Sequence, residues 1–465
     1  MKRSGRKSWL GAATVMCILV AYAVVAAVPA GAVSSRAPAD DAPKQQRESV
    51  TIGKNNEFNP ANGVRSGSGT KSDPFVISGW EIDTIRIHDT NRHVIVRDNV
   101  ITGTLVLNWI GSGVKVVDNT IADLRVNQNV ERTGDMTGGL IAHNTFGVVG
   151  QLRHWDGVFA HNVVGSPDSM ELPFVSNEAV NFDGFNGGRF HHNTVYGFVT
   201  ARLHGHHHSS GFGVHSHDHA YMPPKEDAPE EKGHEGHAHA QGAKHDAKPM
   251  HDVDHSVRYH QVFIYSNKIY AAAPYALHYT DQNHAANDRT ATSETNPELD
   301  QPHVHHTQIH VMNNKLYGAG IAVDIFNSDD ERHLETARGS MHIADNAISL
   351  TRTDDYPFNA PLNGIQVRDA KDINLRITGN SIKQTAAQTD SLTQANQFDA
   401  GIHLGRFDLG NVYLADNSVT DMAYGVWAQE LTKSVHWWVT GLATTRVGMP
   451  VYYDNSLQNQ PKRSP

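Results

Sequence analysis

The chain has 465 residues, 39 glycines, 31 histidines, one cysteine and a formal net charge of −10 with histidine counted as neutral. A lone cysteine, Cys17, excludes a disulfide framework and a thiolate metal centre in the folded part. The absence of a Lys/Arg cluster beyond the N-terminus argues against nucleic acid as a partner, and modest apolar content with plentiful glycine suits many short strands and turns.

Residues 1–33 read as an export signal. Lys2, Arg3, Arg6 and Lys7 give the positive start, Leu10 to Val28 the apolar run, and Ala30-Gly31-Ala32 a small-residue cleavage site. The run is also long enough to cross a bilayer uncleaved, as an N-terminal membrane anchor. Either outcome places the rest of the chain outside the cytoplasm, secreted or periplasmic. Residues 34–66 are polar and read as a linker.

A short phrase then returns along residues 67–458. It is clearest at Val94-Ile95-Val96-Arg97-Asp98-Asn99-Val100-Ile101, and its centres are Asn99, Asn119, Asn144, Asn162, Asn193, Asn267, Asn314, Asn346, Asn380, Asn417 and Asn455. Each copy has an apolar or aromatic residue three before the Asn and an apolar residue two after it. A strand of period two followed by a turn explains the pattern. One such strand cannot bury its face alone, so a repeat of about 20–40 residues predicts a solenoid of stacked coils. A second phrase, Gly320-Ile321-Ala322-Val323, recurs at Gly364, Gly401 and Gly425 and is expected to be the next strand of the coil. An Asn at one fixed position suits an internal amide ladder with a step of about 4.8 Å. Trp427, Trp437 and Trp438 are expected to cap the last coil, and residues 459–465 to form a tail.

The two phrases together resemble the right-handed parallel β-helix repeat family, which includes pectate-lyase-like enzymes. The resemblance implies an all-β, single-stranded parallel β-helix with long inserted loops. It leaves the activity open, because a fold does not fix a function.

Two insertions break the repeat. Residues 205–256 hold His206, His207, His208, His215, His217, His219, His234, His237, His239, His251 and His255 among acidic residues, with almost no large apolar side chain. Residues 281–306 bring His303, His305 and His306. A shorter acidic segment follows with Asp329, Asp330, Glu331 and His333. The repeat phase predicts that all three leave the helix at one corner. Imidazoles with nearby carboxylates and no thiolate suit a divalent transition metal, Cu, Zn or Ni; the plain alternative is a solvated low-complexity loop. A tighter site at the loop roots would add His278.

Two further rows stand on the coils. The residue before the ladder Asn is His143, His161 and His192 on consecutive coils, a column able to hold a cation or a sugar. The outer face of the second phrase carries His278, Asp324 and Arg368, with Tyr279, Asp369, Arg406 and Glu430 one residue further along. Of these, His278, Asp324, Arg368 and Arg406 are the candidate substrate-binding residues. The row lacks the paired Asp residues of β-helix hydrolases and the placed Lys of the lyases.

The first reading is a secreted metal-binding protein that captures or delivers metal; by fold and composition it is broadly similar to periplasmic copper-loading accessory proteins. The alternative is a polysaccharide lyase, glycoside hydrolase or carbohydrate-binding β-helix. The partners expected are metal ions, with a polysaccharide or a periplasmic metalloprotein as further candidates.

Overall fold

The computed structural model describes residues 44–453, apart from 111–112, 128–138, 154, 156, 169–177, 184–187, 205–258, 272–274, 283–305, 327–337, 353–360, 371–372, 386–398 and 408–409. The described residues contain strands and two short 3-10 turns but no α-helix. From the coil of Asn162 onward each coil supplies three strands, whereas the coils of Asn99, Asn119 and Asn144 run their second and third faces as one long strand, as in Val100–Ile110. In the coil centred on Asn314 the three strands are His306–Met312, Lys315–Gly318 and Gly320–Phe326. First-face strands stack in one sheet, and the strands of the second and third faces run together in another. Pairings along the coils are parallel, and on the first face they keep one register, as in Phe263↔His310 and His310↔His342. The chain is a right-handed parallel β-helix. The phrase at Gly320 forms the third strand of its coil rather than the second, because Lys315–Gly318 already makes a strand before it.

The Asn ladder is continuous from Asn99 to Asn417. The backbone N–H and the Nδ2 of each Asn both donate to the Oδ1 of the Asn one coil on, for example Asn144 to Asn162 at 2.9 and 3.1 Å and Asn193 to Asn267 at 3.0 and 3.0 Å. The same Nδ2 also bonds a first-face carbonyl of an earlier coil, as Asn267 does with Phe190 at 3.0 Å. A buried amide can be tolerated only when so satisfied. Asn455 lies outside the described residues. The preceding residue turns the chain: Asp98, His161, His192, Asp345 and Asp416 have φ between 54° and 56°, in the left-handed region that Asp and Asn tolerate best. Gly379, φ 67°, takes this position without a Cβ penalty.

The glycines that open the third-face phrase have a separate cause. A Cβ on Gly320, Gly364, Gly401 or Gly425 would lie 2.3, 2.6, 2.8 or 2.4 Å from the carbonyl oxygen of Gly364, Gly401, Gly425 or Pro450 respectively. The coils approach backbone to backbone there, and only glycine fits.

Winding begins earlier than the sequence suggested. Gln45–Arg47 and Val50–Ile52, inside the span read as a linker, pair in parallel with Trp80–Ile82 and Ile85–Ile87. Trp80 closes this end under the guanidinium groups of Arg47 and Arg65, at 5.0 and 3.4 Å from its ring. The C-terminal tryptophans do not form one cap. Trp437 points into the core, whereas Trp427 lies on the outer third face against His403.

The insertions do share a corner. The strands that lead into them, ending at His204, Gln282 and Phe326, are paired at those residues. The strands that follow open at Tyr259, His306 and Arg338, which are also paired.

Candidate functional site

Most of the metal ligands expected from composition, His206, His207, His208, His215, His217, His219, His234, His237, His239, His251, His255, His303 and His305, lie outside the described residues. His306 opens a described first-face strand. The chemistry that can be followed atom by atom sits on two other surfaces.

The first is the turn between the first and second faces. The left-handed residues His143, His161 and His192 point outward from consecutive coils, and their rings stack at 5.0 and 4.9 Å. That spacing follows from the ladder beneath them, because each ring is attached next to a ladder Asn. His191 joins the column from the first-face strand Arg189–His191. Phe190 points inward, so alternation sends His191 outward. Its Nδ1 meets the Nδ1 of His192 at 2.9 Å. His161, His191 and His192 form the one group of at least three potential ligands found among the described residues, with all their ligand atoms within 4.8 Å of one another.

The electrostatics favour free imidazole lone pairs. Burial, followed by the charges His192, His161 and Arg189 would place beside it, lowers the pKa of His191 to about 4. His161 is also lowered, first by burial and then by His143 and His192. Metal binding requires the unprotonated ring. The 2.9 Å contact between the His191 and His192 Nδ1 atoms is a hydrogen bond in the metal-free chain; two nitrogens on one tetrahedral zinc lie about 3.3 Å apart, so a small opening of the pair would admit the ion. His161 and His192 are exposed and His191 half-buried, so the donors face an open side. Tyr265 stacks on His191 at 4.7 Å and supports its far face. The sequence reading found the column but missed His191; the doublet His191-His192 before Asn193 was the available signal.

The second surface is the third face. Here His278 Nε2 donates to Asp324 Oδ2 at 2.8 Å, and Arg368 Nε donates to Asp324 Oδ1 at 2.8 Å. Asp324 and Arg368 are register partners, whereas His278 is opposite Ala322 and reaches Asp324 diagonally. Burial pushes the Asp324 carboxyl up, but the hydrogen bonds from His278 and Arg368 outweigh it and hold the pKa below the usual value. Tyr275 crosses the intervening coil to donate to Gln366 Oε1 at 2.8 Å, and Asn363 Nδ2 donates to the same oxygen at 2.9 Å. His403 stacks on Trp427 at 4.7 Å.

Two members of the expected row lie elsewhere. Tyr279 alternates inward and is buried. Arg406 adopts φ 52°, leaves the pleat and pairs with Asp369 at 2.8 Å and Glu430 at 3.8 Å. Three of the four candidate substrate-binding residues are thus joined, and Arg406 belongs to a separate charged column. No family model, curated protein or solved structure matches this chain.

Proposed function

We propose that this chain is an extracytoplasmic β-helix protein that captures a divalent transition metal through histidine. The observation that carries the reading is the convergence of His161, His191 and His192 at the ladder turn. An all-imidazole donor set suits Zn, Cu or Ni over Mg or Ca, which prefer oxygen. The histidine-rich sequence at 205–256 supplies further ligands of the same type and, by its composition, several weak sites rather than one fixed cage. A site fixed by the ladder and a ligand-rich segment in the same chain suit collection of an ion at low concentration and its delivery to a metalloprotein. The N-terminal charge and apolar pattern supports a location outside the cytoplasm.

Metal content after native purification tests this. The full chain should carry Zn, Cu or Ni without any added tag. Deleting 205–256 should lower the amount bound while leaving one tightly held ion, and replacing His161 and His191 with Ala should remove that ion. A chain purified without metal and unable to take it up on dialysis would refute the reading.

A further inference from the structure

We propose that the third face holds a second ligand site, independent of the histidine corner, that takes a small hydroxycarboxylate through His278 and Arg368. The site is built around Asp324, which is 4 % exposed and grips both neighbours. Because the carboxylate accepts, His278 Nε2 carries a hydrogen, and of the two neutral tautomers this selects the one whose Nδ1 is a lone-pair acceptor. Asp324 engages only the Nε of Arg368, so the two terminal nitrogens remain as a forked donor pair. His278 and Arg368 are 31 % and 40 % exposed, so both groups open toward solvent from a buried base.

Two buried polar atoms on the third-face strands have no hydrogen-bond partner among the described residues. Thr280 is the register partner of Asp324 and is 3 % exposed, and its Oγ1 has no hydrogen-bond partner. Asn363 is 1 % exposed; its Nδ2 bonds Gln366, and its Oδ1 has none. Buried polar atoms are seldom left unpaired without a reason. An acceptor ring nitrogen beside a forked cation selects a ligand that presents a hydroxyl hydrogen next to a carboxylate. A plain carboxylate would leave His278 unused, and a neutral polyol would leave the Arg368 fork without its best partner. The Asp324 carboxylate fixes both groups before the ligand arrives, so their ordering costs little on binding.

Calorimetric titration of the full chain, after chelator treatment and dialysis, with D-glycerate, propionate and glycerol tests the proposal. Glycerate should bind saturably, and the other two at least about tenfold more weakly. Arg368→Gln should reduce glycerate to the level of glycerol, and His278→Phe to that of propionate, with both variants still unfolding cooperatively well above the assay temperature, at a midpoint lowered by the loss of one partner to Asp324. Equal binding of glycerol and glycerate, no glycerate binding by the wild type, or an unchanged glycerate affinity in Arg368→Gln would overturn it. Loss of metal at His161 and His191 should leave glycerate binding intact, which separates this site from the metal reading.

Discussion

His191 and His192 are consecutive in the chain, yet their Nδ1 atoms meet at 2.9 Å on the same outer surface. Two neighbours on a regular strand would point to opposite faces. They converge because His192 adopts φ 56° and ends the strand, turning its side chain back over the face that His191 already occupies. The ladder Asn at 193 holds that turn in place, so the site inherits its geometry from the core.

The ladder should dominate local stability. Replacing Asn267 with Ala would leave the backbone N–H and Nδ2 of Asn193 and the carbonyl of Phe190 without their partner. The expected cost is about 2–4 kcal/mol, read as a lower urea midpoint. A loss smaller than that of a typical surface substitution would contradict the ladder's role.

The turn position allows ligand and fold to be separated. His192→Gly relieves a left-handed non-glycine residue and should keep or raise stability by up to about 1 kcal/mol. It should still weaken metal binding, because a donor is gone. His192→Val should lose both.

A buried ion pair ties together two consecutive coils at the ends of their strands. Asp399, with no exposed surface, accepts from Arg352 Nη2 at 2.7 Å and from the Leu362 N–H at 2.9 Å. Asp399→Ala leaves the buried Leu362 N–H without its acceptor and takes one partner from Arg352, and should cost about 1–3 kcal/mol. Thermal melting of the variant checks this.

Stability should fall on mild acidification. Burial lowers the pKa of His310, which faces His342; of His342, which faces Arg376 and Asp345; and of His403, which faces Gln429 and Arg368. Above about pH 6.5 these rings are neutral both folded and unfolded, so they add no pH dependence. Below it the unfolded chain takes up protons that the folded chain refuses, and stability declines until the folded values are reached. Urea midpoints measured from about pH 7.5 to about pH 5 should therefore drop, and His310→Gln should drop less than the wild type. An unaltered slope in that variant would contradict this assignment.

Much of this was legible in the sequence because the repeat is strict. The Asn centres, the period-two apolar residues and the stacking of His143, His161 and His192 follow from spacing alone, and so does the shared corner of the insertions. Three things did not follow. The short second-face strands have too few residues for periodicity to register, so the Gly320 phrase reads as the second strand of its coil when it is the third. Arg406 leaves its row through a left-handed backbone that Arg rarely signals. The diagonal reach of His278 to Asp324 depends on rotamers, and His191 joins the column only because strand alternation sends the second residue before the Asn outward.

Zinc or copper titration of the full chain, with and without His191→Phe and His161→Ala together, addresses the central claim most directly. The account predicts that the tightest-bound ion disappears in the double variant while weaker binding persists and the melting temperature of the metal-free chains stays the same. An identical binding curve for both chains would show that His161, His191 and His192 do not hold the metal.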